Sequence, residues 1–250
     1  MARPRLLSVQ GANLAGLGLA EVDLTACRFA GAHNLDRLRL EAGVTFAVAP
    51  RRVPWERRQV IAEERVWRAT RSERWATPAW WPTWLRDPFG AAHKDWPTAL
   101  PTGRIAGLYR ALRKGREDAK DEPGAADFYY GECEMRRHDP GTPRAERLVL
   151  GAYWLLSGYA LRAWRALAAL AVVIALVGAS FSRVGFHHPH PSLAASWLYA
   201  LQSTVSLEGR ARQLSGQLTL PGELLRVGLR FTGPVLLGLA VLSVRGRVRR

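Results

Sequence analysis

Cysteine is scarce: Cys27 and Cys133 are the only 2 in a chain of 250 residues. So few thiols, so far apart, exclude a disulfide framework and a cysteine-rich metal site, and they suit a reducing compartment. Acidic residues are also in short supply, 21 Asp and Glu against 36 Lys and Arg, which leaves a formal net charge of +15. Fingerprints of catalysis are missing as well. Gly209, Gly216 and Gly222 make no phosphate loop, and no Ser/His/Asp, zinc-protease or dinucleotide pattern is present. His187, His188 and His190 are interrupted by Pro189 and Pro191 with no adjacent carboxylate or thiol, so they read as a loop and not as a metal site. The expectation is a non-enzyme without a cofactor or metal. The first ten residues lack an apolar core followed by a small-residue cleavage site, so no secretion signal is expected there.

What is present in abundance is apolar sequence, 48% of the chain, and it is unevenly placed. Ala166 to Phe181 contains no charge at all, and with Leu161 to Arg165 it reaches the roughly 20 residues that cross about 30 Å of hydrocarbon. A second such segment runs from 224 to 244, with Arg226 and Arg230 near its start. Arg136, Arg137, Arg144, Arg147, Arg162 and Arg165 precede the first segment, and Arg245, Arg247, Arg249 and Arg250 come after the second. The connection between them holds only Arg183, Arg210 and Arg212. By the positive-inside rule both termini are expected in the cytoplasm of an inner-membrane, multi-pass protein, with Arg226 and Arg230 as exceptions. The basic excess then reports topology and contact with anionic lipid, and nucleic acid is not an expected partner. Residues 145–162, with Tyr153, Trp154 and Tyr159, read as an interfacial helix, or as a third crossing that its length and the charge distribution both disfavour.

The first 45 residues repeat with a period of five. Val9, Leu14, Leu19, Leu24 and Phe29 are large and apolar, with Leu7, Ala12, Leu17, Val22 and Cys27 two places earlier. A period of five is neither a helix face nor a strand, so the expected form is a square solenoid with one bulky and one small residue per side turned inward. The pattern resembles pentapeptide repeats, and that resemblance implies a quadrilateral β-helix with these five residues in its core. Only about one coil stands in register before Gly31, so the stub is expected to be a cap packed on the next part of the chain or a remnant of a longer array.

Residues 46–103 hold a helical stretch, Arg57 to Arg71, and then a connector in which Trp75, Trp80, Trp81, Trp84 and Trp96 alternate with prolines. From 104 to 140 two helices are expected, broken at Glu122-Pro123-Gly124 and similar to one tetratricopeptide-type hairpin. The carboxylates Glu117, Asp118, Asp121, Glu122, Asp127, Glu132 and Glu134 interleave with Arg and Lys and read as a solvated ion-pair surface. Residues 108–137 closely resemble a segment of bacterial, especially actinobacterial, pentapeptide-repeat membrane proteins, where it lies between the repeats and a C-terminal membrane part.

Between the two apolar segments, in the connection 183–223, Ser192 is a plausible N-cap for an apolar helix over 192–207 that is too short to span. The order long helix, short helix, long helix resembles two-helix tetrameric cation channels. That resemblance makes Thr204, Val205, Ser206, Leu207, Glu208 and Gly209 the pore-lining residues. The potassium filter pattern is not preserved, because Ser206 and Leu207 stand where its first glycine and tyrosine belong. The sequence therefore predicts a mainly α membrane protein with a cytoplasmic repeat stub and helical hairpin, two spans enclosing a pore-helix-like segment, and a basic tail over 245–250. Two functions stay open: a homo-oligomeric pore, conducting or degenerate, with a cytoplasmic regulatory domain, or a membrane-anchored scaffold that holds a cytoplasmic protein partner.

Overall fold

The computed structural model describes residues 3–50, 58–72, 75, 100–186, 192–204 and 218–248. The chain divides into two compact units, 1–150 and 151–250, with the boundary inside one helix. Most of the described residues are helical, and the strands are short.

In the first unit the backbone of the N-terminal region returns beside itself. Parallel bridges join Arg5 to Asp23, Ser8 to Arg28, Asn13 to His33 and Asp23 to Thr45. Strand β1 (Gly18–Leu19) pairs in parallel with β2 (Arg39–Leu40). Partners are thus about twenty residues apart, and the regular pairing among them is confined to small sheets. Val9, Leu14, Leu24 and Phe29 are buried, and Leu19 packs against the same cluster from a partly buried position. Gly11, Gly16 and Gly31 have positive φ where the chain turns, a conformation that suits residues lacking Cβ.

After an antiparallel pair, β3 (Ala47–Val48) with β4 (Gln59–Val60), comes α1 (Ala62–Ala69). Helices α2 (Thr102–Asp118) and α3 (Glu122–His138) form an antiparallel hairpin. The chain turns at Ala119–Asp121 and not at Glu122-Pro123-Gly124: Lys120 takes φ 59°, and the Asp121 carboxylate caps α3 by accepting from the Gly124 amide at 3.1 Å. Pro123 sits in the first turn of α3, where its missing N–H costs nothing. Two close approaches fix this unit. A Cβ at Gly131 would lie 2.6 Å from the Tyr109 ring, and one at Gly115 would lie 2.6 Å from the Leu38 carbonyl oxygen, so α2 lies directly on the repeat region.

Helix α4 (Arg144–Ser157) crosses the unit boundary. The second unit continues with α5 (Ala163–Ser180), a π-helical turn Phe181–Gly185, α6 (Leu193–Thr204) and α7 (Leu220–Val248). Two stretches are long and apolar enough to cross a membrane, Trp164–Gly185 with 22 residues and Leu220–Ser243 with 24. At 1.5 Å per residue each measures about 33 Å or more.

Their surface is the reverse of a soluble helix. On α7 the buried positions Gly222, Leu229, Gly233, Leu236, Ala240 and Ser243 form one seam rich in small residues. The exposed positions include Leu224, Phe231, Val235, Val241 and Leu242, with Phe231 72% exposed. Helix α5 likewise buries Ala166 and Leu170 and exposes Leu167, Val172 and Leu176. Small residues inward and large apolar residues outward is how helices pack in lipid, where backbone proximity replaces the hydrophobic drive.

Candidate functional site

The segment singled out for a pore begins at the end of α6. Of its six residues only Thr204 lies among the described residues; Val205, Ser206, Leu207, Glu208 and Gly209 lie outside them. At 12 residues α6 is about 18 Å long, too short to cross a bilayer, and it packs against both α5 and α7. Glycines set the contacts. A Cβ on Gly178 of α5 would run into the Trp197 ring, and one on Gly233 of α7 would lie 2.8 Å from the Thr204 carbonyl oxygen. Phe181, Phe186 and Tyr199 make a cluster with ring centroids 5.1–5.8 Å apart, mostly edge to face. Closing the loop, Phe186 bridges to Leu218, and the Thr219 amide donates to the Gly185 carbonyl at 3.1 Å.

Thr204 is buried, and its hydroxyl donates to the Ala200 carbonyl of its own helix at 2.9 Å. Ser196, Tyr199 and Ser203 share the buried face, since positions three and seven apart fall on one side of a helix. Among the described residues their hydroxyls have no hydrogen-bond partner. Leu193, Trp197, Leu198 and Leu201 occupy the exposed face. The polar side of α6 therefore points into its own unit and the apolar side points out.

The second notable geometry is the corner between α4 and α5. Gly158, Tyr159 and Ala160 have φ of 56°, 61° and 56°, three consecutive residues in the left-handed region. For Tyr159 and Ala160 this costs on the order of 1–2 kcal/mol each, so the surroundings must hold the turn in place. They do so with a full set of bonds. The Gly158 amide donates to the Trp154 carbonyl at 3.0 Å, the Ala160 amide to the Ser157 hydroxyl at 3.0 Å, and the Arg162 amide to the Ser157 carbonyl at 3.1 Å. Tyr159 is completely buried, edge-on to Tyr153. Beyond the turn, the Arg165 guanidinium lies 4.5 Å over the Trp154 ring.

In the first unit the chemistry-bearing residues are buried and paired. Glu64 is inaccessible and accepts from Arg58 at 2.5 and 3.1 Å, from Arg68 at 2.6 Å and from the Tyr109 hydroxyl. Arg68 also donates to Glu134 at 2.9 Å, and Arg137 donates to Glu134 at 3.0 Å. Burial alone would raise the carboxyl of Glu64, but Arg58 and Arg68 outweigh it and hold it below the usual range. Glu63 is different. It accepts from the Phe29 and Ala30 amides at 2.6 and 2.9 Å, tying α1 to the repeat region, yet its burial wins and its carboxyl is pushed up. Asp127, which accepts from the Gln59 amide at 2.8 Å, is raised by burial to about 6.

The expectation of a solvated ion-pair surface on the hairpin thus fails at Glu132 and Glu134, which are buried. Sequence spacing hid this, because their arginine partners Arg68, Arg110 and Arg113 sit on other helices. Glu63 and Glu64 carried no signal at all beyond a place in the first turn of α1. Burial drives the thiols of Cys27 and Cys133 up to about 12 and about 11, so neither is a ready nucleophile. Among the described residues no group of three or more His, Cys, Asp or Glu is placed to hold a metal. An open groove beside α2 carries both signs of charge, with Lys114 paired to Asp36 at 3.0 Å and Arg116 to Asp121 at 2.5 Å.

No protein-family model, no curated protein and no solved structure matches the chain.

Proposed function

We propose that this chain is an inner-membrane, channel-like subunit: α5 and α7 cross the bilayer, α6 enters it without crossing, and copies of the chain assemble around the segment just after Thr204. The single observation that carries the reading is a 12-residue apolar helix packed against two helices of spanning length. Backbone that ends inside the hydrocarbon is tolerated only when protein or a cavity surrounds it, and more copies of the chain supply that enclosure. The first unit then stands as the cytoplasmic regulatory domain, with both termini inside. The pairing of partners about twenty residues apart supports reading its N-terminal part as a pentapeptide-repeat β-helix stub with Val9, Leu14, Leu19, Leu24 and Phe29 inward, capped by α2. The likeness to actinobacterial pentapeptide-repeat membrane proteins is part of the same proposal.

Arg226 and Arg230, the exceptions to the charge rule, fit this topology. Arg226 pairs with Glu223 at 2.8 Å, which offsets its charge, and Arg230 is exposed and long enough to reach an interface. The test is flux from liposomes containing the purified full chain. Cation efflux that falls in Glu208→Gln and stops when residues 192–220 are deleted supports the pore, and a reconstituted chain that passes no ion overturns conduction.

A membrane-anchored scaffold without transport is the second reading. It is favoured by the inward direction of the α6 hydroxyls, which line the unit's own interior. A cellular phenotype that survives deletion of residues 192–220 decides for it.

A further inference from the structure

We infer that the buried face of α6 is a binding site for ordered water, held by the hydroxyl groups of Ser196, Tyr199 and Ser203. The inference uses only the packing of α6 within the second unit, so it stands or falls apart from conduction and from the number of copies in an assembly.

The first observation is that these hydroxyls are sealed in and unmatched. Ser196, Tyr199 and Ser203 are 0%, 1% and 4% exposed, and among the described residues none of the three hydroxyls has a hydrogen-bond partner. All three lie within α6, at positions three and seven apart that share one side of the helix. A hydroxyl moved from water into an apolar interior without a partner is destabilising, and three on one face compound the cost.

The second is that the ordinary remedy is not taken. Elsewhere in the same unit the hydroxyls of Ser180, Thr204, Thr232 and Ser243 each donate to the carbonyl four residues back in their own helix, at 2.7–2.9 Å. Ser196 and Ser203 have the carbonyls of Ser192 and Tyr199 at the same offset and do not use them. Thr204 adjoins Ser203 on the same helix and does make the bond, so the backbone of α6 does not forbid it. A tyrosine hydroxyl stands too far from its own backbone for that bond, and Tyr199 needs a partner from outside its helix.

The third is what the surroundings admit. Tyr199 is walled by Phe181, Phe186 and Leu229, with the two phenyl rings centred 5.1 and 5.4 Å from its own, so the occupant is small. Helix α6 carries no charged side chain, and an ion held by these hydroxyls would find no counter-charge on it. Water donates and accepts as a hydroxyl does, it brings no charge into an apolar interior, and a buried molecule of it makes about three such bonds. Because Ser203 adjoins Thr204, this hydration extends to the residue from which the candidate pore segment begins.

X-ray radiolytic labelling of the full chain in lipid nanodiscs tests the site, because hydroxyl radicals made from a bound water oxidise the side chain that holds it, even one closed to bulk solvent. Tyr109 is the control: it is as deeply buried, and its hydroxyl is already engaged by Glu64 and by the Ile61 amide. Oxidation of Tyr199 with Tyr109 unmarked is the expected result, and a Tyr199 as silent as Tyr109 would overturn the proposal. Stability gives an independent sign. Tyr199→Phe removes only the hydroxyl, and the loss of its bond to water is expected to lower the folded-to-unfolded ratio in a detergent titration roughly five-fold. Removing a hydroxyl that bonds to nothing would relieve a buried orphan instead, so a ratio that stays or rises overturns the site. Replacing sodium by choline should leave the wild-type midpoint in place; a shift seen in the wild type and lost in Tyr199→Phe would overturn water as the occupant in favour of a monovalent cation. A chain that labels as expected and passes no ion keeps this site and loses conduction, so the two failures are distinguishable.

Discussion

Glu64 is the residue on which the first unit depends most. Its fully buried carboxylate gathers Arg58, Arg68 and Tyr109, of which Arg58 and Tyr109 are buried and Arg68 is mostly so. Removing one member of such a set leaves the others charged and unmatched, which costs about 3–5 kcal/mol. Glu64→Gln is therefore expected to lower the thermal midpoint of the first unit far more than Glu117→Gln, whose carboxylate is half exposed; circular dichroism of the solubilised chain reads the difference. Because the native carboxyl of Glu64 is held below the value of 4.5 it would have when unfolded, its contribution is present above that pH and is lost as the pH falls through the lower native value. Asp127 has the opposite sign. Its native value is raised from 3.8 to about 6, so its contribution is full below about 4 and is lost as the pH rises through 6. Asp127→Asn, which can still accept from the Gln59 amide, is expected to stabilise the chain by up to about 3 kcal/mol at pH 8 and to change little at pH 4. Urea midpoints at the two pH values check it.

At the scale of elements, contact between helices is set by glycine more than by large side chains. Gly115→Ala forces α2 away from the Leu38 carbonyl, and an overpacked contact of this kind costs about 1–3 kcal/mol, measurable as a lower midpoint for the first unit alone. In the second unit Gly233→Leu drives a side chain into Thr204 and its carbonyl, so α6 must leave α7. The expected outcome is faster proteolysis between α6 and α7 in detergent with the first unit's melting unchanged. Much of this architecture is legible in the sequence for plain reasons. Long apolar runs and a short helix between two long ones are local patterns that a chain cannot hide. The hairpin turn falls earlier than the sequence suggests because Glu122-Pro123-Gly124 serves equally as a break and as a first helical turn, and the cap at Asp121 decides between them. The burial of Glu63, Glu64, Glu132 and Glu134 is not legible, since much of what surrounds them comes from distant parts of the chain: Phe29 and Ala30 for Glu63, Tyr109 for Glu64, Arg110 and Arg113 for Glu132, and Arg68 for Glu134. Nor is the Gly158–Ala160 turn, because tyrosine and alanine carry no preference for left-handed backbone.

For the whole molecule, the excess of arginine and the shortage of acid divide between the two units. In the first unit several carboxylates, Glu64, Glu132 and Glu134 among them, are paired with arginine; the second has Glu208 and Glu223 as its only acidic residues and turns large apolar residues outward along α5 and α7. Two helices long and apolar enough to cross a membrane, packed through glycine, suit a lipid environment; the proposed channel-like reading adds that the end of the short helix between them is enclosed by further copies of the chain. The central claim is that this chain closes into a ring of identical subunits, and its mass in lipid nanodiscs or mild detergent tests that claim most directly. The account predicts one defined multiple of the 27.7 kDa chain, unchanged on dilution. A monomer at every concentration would contradict it.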